Sequence, residues 1–453
     1  MERKENKMGV MPVKRLIISM SLPMMVSMLV QALYNVVDSI FVARLSEQAL
    51  TAVTLAFPLQ NLMIAVSSGT GVGVNAILSK SLGEKRFDRS DKAANSAVLL
   101  AFCNFVLFFV IGFFFAGAFI RTQTDNVEIA EMATTYLRIV TCVSAGIMYQ
   151  MMFERLLQST GKTVYSMISQ MTGAIINIIL DPIMIFGLLG MPAMGVAGAA
   201  IATCIGQIIA ALLGFYFNIR KNTELHYSLK SVLHPSGEII RRIYAVGIPS
   251  ILMISIGSLM TYLMNLILIA FSTTATAVFG VYFKLQSFVF MPVFGLNNGL
   301  IPVLAYNYGA RKKSRIDEAL RFSLTLAFVI MILGTVLFNT IPETLLGFFN
   351  ASPEMENIGI PALRIISFHF PLAAVGIVLG SIYQAFSKSI YSLIISLCRQ
   401  LVVLIPSAWL LARTGTVTNV WFSFLIAEGV SLVLSLYFFR KIYREVVAPM
   451  GQH

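Results

Sequence analysis

Residues 16–37 read LIISMSLPMMVSMLVQALYNVV, an unbroken uncharged run between Arg15 and Asp38. A helix rising 1.5 Å per residue crosses roughly 30 Å of hydrocarbon in about 20 residues, so this run is long enough to span a bilayer. It is too long for the apolar core of a signal peptide and lacks a small-residue cleavage site after it; it is therefore expected to stay as the first span. Further uncharged runs follow at Gln48–Ser79, Ala93–Ile120, Ile243–Phe283, Leu285–Ala310, Phe322–Pro342 and Ile365–Ser387. Across 453 residues only 12% are charged and 57% are hydrophobic, with a mean hydropathy of +0.81. A soluble chain is nearer a quarter charged, so this one has too few charges to cover a watery surface. Lipid offers no partner to exposed backbone amides, which leaves helices as the spanning element.

A formal charge of +12 raises the question of a nucleic-acid partner, but the placement of the basic residues argues against one. Between the hydrophobic spans, Lys and Arg fall on alternate connectors: 26 lie on one set, and Arg44, Arg121 and Arg413 on the other. The positive-inside rule then places the basic connectors and both termini in the cytoplasm. Cys103, Cys142, Cys204 and Cys398 lie in apolar spans without metal-ligand spacing and read as small core residues.

The chain also matches itself at an offset of 226 positions. Pro23 falls on Pro249, Gln60 on Gln286, Gly69 and Gly73 on Gly295 and Gly299, and Arg138 on Arg364. Lys162 meets Lys388, and Tyr165-Ser166 meets Tyr391-Ser392. One register kept this long predicts two homologous six-helix bundles: an N-lobe over 1–220, a polar cytoplasmic linker over 221–236 and a C-lobe over 237–453. Six is even, so both halves run the same way and are parallel pseudo-symmetric repeats. The expected fold is an all-α integral membrane protein of twelve transmembrane helices around a central cleft. Such architectures carry substrate at the repeat interface and alternate its exposure by rocking. No Walker-type phosphate loop, zinc-protease motif or nucleophile elbow is present, so the chain is not expected to be an enzyme, and an ion gradient is the expected energy source.

A charged side chain at the centre of a span costs roughly 2.5–3.5 kcal/mol, so each survivor asks for a reason. Asp38 ends the first apolar run. Asn177 and Asp181 lie four apart in the fifth span and share a helix face. Pro182 cannot donate to the Ile178 carbonyl and leaves an oxygen free beside them. Two carboxylates, an amide oxygen and a loose carbonyl suit Na⁺; without a metal, one of the two acids should hold a proton. Separate capping or turn roles near the membrane edges are the alternative. Arg399 and Glu428 are expected to pair with each other, Arg138 and Arg364 to serve packing or interfaces, and His369 to be a core residue. Lys284, with Gln286 a half-turn on, has two open readings: facing the central cavity or pairing inside the C-lobe.

Leu157-Gln158-Ser159-Thr160-Gly161, then Asn177 to Pro182, then Gly195-Val196-Ala197-Gly198-Ala199-Ala200-Ile201-Ala202-Thr203 resemble the pattern of the multidrug and toxic compound extrusion (MATE) exporters. Phe290-Met291-Pro292 and Ala305-Tyr306-Asn307-Tyr308-Gly309-Ala310 resemble their second-half signature. The resemblance covers essentially the whole chain and is nearest to the DinF-like and related prokaryotic branch. It implies an N-lobe coupling-ion site, for H⁺ or Na⁺, at Asp38, Asn177, Asp181 and Thr203, with helix 1 bending at Pro23. Other branches place acids on helices 7 and 10; here no acid follows Glu238 in the seventh span or Glu356 in the tenth.

The function this implies is secondary-active antiport. Lipophilic, often cationic, organic compounds leave the cytoplasmic membrane of a prokaryote in exchange for H⁺ or Na⁺, by alternating access. The expected protein is a multi-pass monomer in the lipid bilayer, with no nucleic-acid partner and no cofactor beyond the transported ion. The alternatives are a lipid-linked precursor flippase of the same superfamily and a non-transporting membrane receptor or scaffold.

Overall fold

The computed structural model describes residues 4–452, and every regular element among them is helical. The first half comprises α1 (Val13–Leu45), α2 (Glu47–Gly83), α3 (Phe87–Arg121), a broken α4 (Val127–Cys142 and Ala145–Ser159), α5 (Thr163–Phe186) and α6 (Val196–Arg220). The second comprises α7 (Gly237–Ile269), α8 (Thr273–Gly309), α9 (Lys313–Thr340), a broken α10 (Pro353–Ser367 and Phe370–Ala385), α11 (Ser389–Ala412, with a π turn at Cys398–Val403) and α12 (Phe422–Ile442).

Ten helices are individually long and apolar enough to cross a bilayer, and the two parts of α10 pass together with a bend of 48°. The two parts of α4 hold the matching place in the first half. Its parts are only 16 and 15 residues long and carry Glu128, Glu131, Arg138, Glu154 and Arg155. With both broken helices counted, the chain is a multi-pass all-α membrane protein of twelve crossings.

The 226-residue offset persists in the structure, because the local signals that start and stop helices are duplicated. Ser46 caps α2 by accepting from the Ala49 N–H at 3.0 Å, and its repeat mate Ser272 caps α8 through Ala275 at 3.1 Å. Asn126 and Ser352 do the same at the entrances of α4 and α10. Each cap satisfies an amide that the first helical turn leaves without a partner.

Packing groups the chain differently from the duplication. One compact unit is the chain up to Lys7 with Val26–Ile251; the other is Met8–Met25 with Leu252 onward. The divisions fall two residues after Pro23 and Pro249, which are repeat mates, so the amino-terminal part of each half's first helix packs with the helices of the other half. Small residues make this packing fit. In the first unit a Cβ on Gly73 would overlap the Ile243 carbonyl; in the second, a Cβ on Gly299 would stand 2.7 Å from Ser21 Oγ and 2.8 Å from its Cα. Close backbone approach through small residues four apart, here Gly69/Gly73 and Gly295/Gly299, is a common way for membrane helices to associate.

Polar contacts secure the unit ends. In the first unit, Asn6 Nδ2 donates to the Thr160 carbonyl at 2.8 Å and to both Glu224 oxygens at 2.8 and 2.7 Å. The linker docks on α3, where Asn95 donates to the His226 carbonyl and accepts from the Ser228 N–H. In the second unit, Arg315 donates to the carbonyls of Met8 and Met11, and Lys312 to that of Gly9.

Candidate functional site

Asp38, Asn177, Asp181 and Thr203 converge within the first unit, on α1, α5 and α6. The helical spacing of Asn177 and Asp181 puts both on the α5 face packed against α6. Close approach of these two helices is possible because Gly173 and Gly206 meet backbone to backbone. Asp181 is fully buried, and Asn177 and Thr203 are 3% exposed.

The Asn177 amide satisfies both its ends. Its Nδ2 donates to Asp181 Oδ2 at 3.0 Å, and its Oδ1 accepts from the Thr203 N–H at 3.2 Å and from the Thr203 hydroxyl at 3.0 Å. The Ala199 carbonyl, also 3.0 Å from that hydroxyl, is the alternative acceptor for its single proton. Asp38 and Asp181 lie within hydrogen-bonding reach of each other, and Asp38 Oδ1 is buried without a hydrogen-bond partner in the protein. Among the described residues no Lys or Arg forms an ion pair with either acid. Two carboxylates so close in a desolvated site repel strongly unless a proton or a cation is shared between them.

Three groups that sequence reasoning missed complete the surroundings. Tyr34, one turn before Asp38, brings its hydroxyl 3.3 Å from the Asn177 amide and also reaches Thr203. Further toward the basic end, Gln170 donates to Gln31 Oε1 at 3.2 Å. The facing surfaces of α1 and α5 thus present three polar steps in order: Gln31 with Gln170, Tyr34 with Asn177, Asp38 with Asp181. One turn beyond the acids the character changes. Val42, Ile185, Ala199 and Ala200 belong to a buried apolar cluster with Tyr136 and Cys204. The site is dry on one side and polar on the other. The signal was available as i, i+3/i+4 spacing of Gln31, Tyr34 and Asp38, but pairing them with α5 required the fold.

The second unit has no counterpart. The repeat mates of Asp38, Asn177, Asp181 and Thr203 are Met264, Val403, Ser407 and Gly429. Nearby, Glu428 has a cation of its own: Arg399 Nη1 stands 4.0 Å from Glu428 Oε1. His369 is buried against the rings of Phe290, Phe370 and Phe424. Gln286 Oε1 accepts from the Tyr282 hydroxyl at 2.9 Å. Lys284 is exposed and forms no ion pair among the described residues; it shares a stripe of α8 with Thr276, Gly280 and Ser287. α1 runs helical through Pro23 and α5 through Pro182.

Two duplicated six-helix halves, broken at the same places and carrying a polar site inside one unit, define a polytopic membrane transporter. The MatE family model matches residues 23–183 and 249–410, once in each half. The chain belongs to this family, that of the MATE multidrug efflux transporters. It is 26% identical over 418 residues to the multidrug export protein MepA of Staphylococcus haemolyticus strain JCSC1435, covering 92% of this chain and 91% of that protein. Its fold superimposes with a TM-score of 0.93, at 24% identity and over 100% and 99% of the two chains, on the outward-facing conformation of a multidrug resistance MATE family transporter of the MOP superfamily. It superimposes with a TM-score of 0.89, at 25% identity and 99% coverage of both chains, on a MOP superfamily transporter from Pyrococcus furiosus whose binding pocket is described as reversed in polarity.

Proposed function

We propose that this protein is an antiporter of a prokaryotic cytoplasmic membrane that exports lipophilic, often cationic, organic compounds while H⁺ or Na⁺ moves inward. The observation that carries the reading is the pair Asp38 and Asp181, in mutual reach, with one buried oxygen unpartnered and no fixed cation beside them. A buried anionic pair of this kind is costly unless a small cation visits it. Asp38 and Asp181 supply charge, Thr203 supplies a hydroxyl oxygen and holds the Asn177 amide, Asn177 orients Asp181, and the polar steps toward the basic end give the ion a route to the cytoplasm. Na⁺ and H⁺ are cargo here, not cofactors.

Coupling follows from differential affinity. An occupied site pulls α1 and α5 together, an empty one lets their charges push apart, and α1 can bend at Pro23, whose ring nitrogen carries no proton to donate to the preceding turn. Only a form that holds substrate less well when the ion is bound exports it. Lys284 and Gln286 are proposed to line the substrate passage of the second unit.

The decisive measurement is dye efflux from proteoliposomes with Na⁺ and pH gradients imposed separately. One gradient should drive efflux, and Asp38→Asn and Asp181→Asn should each reduce it to the protein-free background while the protein stays inserted. Thr203→Val, which removes one ligand oxygen, should weaken the ion's effect and shift its half-saturation upward. Full gradient-driven export by both Asn variants would end the assignment.

A further inference from the structure

At the basic end of the first unit, away from the carboxyl pair, a cavity of about 550 Å³ is lined by Lys4, Lys7 and Lys162 together with Glu5, Glu224 and Tyr165. The charges in it are not equivalent. Both oxygens of Glu224 already accept from Asn6, and Glu5 and Glu224 make further contacts. The three lysines form no ion pair among the described residues. Burial and the neighbouring Lys162 hold the Lys7 ammonium below the usual lysine range, opposed only in part by Glu224. Like charges held together and partly desolvated are unfavourable unless an anion joins them.

Two more features point the same way. α5 begins at Thr163 with no side chain capping its first turn, so the positive end of its dipole meets the cavity at Val164 and Tyr165. The corresponding corner of the second unit is built differently. There Tyr391, the mate of Tyr165, stacks on Phe438 at 4.6 Å, and Lys441 lies 5.8 Å over its ring. At that corner Tyr391 and Lys441 occupy each other, whereas Tyr165 packs on Phe217 at 4.9 Å and lines the cavity.

We propose that this cavity binds a phosphate group, held by Lys4, Lys7 and Lys162 at the amino-terminal end of α5. A tetrahedral dianion or diester suits several ammonium donors and a helix start better than a lone carboxylate does. The volume admits a headgroup as well as a free ion, and basic pockets at membrane-protein interfaces are recognised binders of anionic headgroups. Bound there, the group would pin Lys4–Lys7 to the connector that starts α5.

The test uses the full-length protein in neutral detergent and calorimetric titration with two probes, dihexanoyl phosphatidylglycerol and inorganic phosphate, with dihexanoyl phosphatidylcholine as the zwitterionic control. Lys7→Gln and Lys162→Gln should each weaken binding about fivefold and the double variant about twenty-fivefold, while Lys7→Arg retains it. Saturation by phosphate alone identifies a soluble anion, and saturation by the lipid alone identifies a headgroup; either supports the site. Should the double variant fail to fold, Lys4→Gln, at an exposed position, still lowers affinity about fivefold. Binding that is identical in wild type and all lysine variants, or no binding of either anionic probe, overturns the proposal. Because binding is read and not transport, the outcome stands apart from the antiport reading.

Discussion

Asp181 and Glu428 are both buried acids inside a membrane protein, and they resolve the same difficulty in opposite ways. Glu428 has Arg399, a cation attached to the chain. Asp181 has Asp38, a second anion, and so depends on something mobile. Arg399→Gln should therefore leave Glu428 buried and unpaired and destabilise the protein by roughly 3 kcal/mol, and the double variant Arg399→Gln/Glu428→Gln should recover most of that loss. Thermal unfolding in detergent reads both. Equal instability of single and double variants would show that the pair is not energetically coupled. At this scale Asp38 and Asp181 of the proposed site are visible in the sequence as charge in oil, Asn177 through its spacing to Asp181, and Thr203 through the family motif. Tyr34, Gln31 and Gln170 are not, because a polar side chain in a span means little until the helix opposite it is known.

Among the helices, fit depends on where backbones must touch. Gly73 in α2 and Gly299 in α8 leave no room for a methyl group, whereas nothing lies within 4 Å of a Cβ placed on Gly280 in the same α8. Gly73→Leu and Gly299→Leu should each lower stability by about 1–3 kcal/mol through forced displacement of backbone, while Gly280→Ala should be neutral or stabilising by up to about 1 kcal/mol. Fluorescence-detected melting of the purified variants separates these cases. If Gly299→Leu melts like wild type, the close approach of α8 to Ser21 is not what holds that unit. The glycine pairs were visible as repeat mates, yet their partners, the amino-terminal parts of α7 and α1, came from the other half of the sequence. The sequence division at 220 and 237 marks the duplication; the packing division runs through both first helices, because the glycines sit where those helices cross.

For the whole molecule, the asymmetry of Lys and Arg predicts which connectors face the cytoplasm. Leu189, between α5 and α6, is 86% exposed, and Leu229, in the linker, is 75% exposed. In intact cells a membrane-impermeant maleimide should label Leu189→Cys but reach Leu229→Cys only after lysis. The opposite pattern would invert the orientation and, with it, the direction of the proposed exchange. Labelling of both in intact cells would point to a leaky preparation, and the wild type, whose four native cysteines all lie within spans, gives the background label.

Hydrophobic length, charge placement and the 226-residue register determine that this chain is a duplicated bundle of membrane helices, because the bilayer imposes those properties on each segment separately. Which residues face one another is a different kind of fact. That Asp38 meets Asp181, that polar steps lead to them from one side only, and that three lysines share a cavity beside α5 all depend on helix rotation and crossing. Those are set by contacts between segments far apart in the chain, and no single segment carries them.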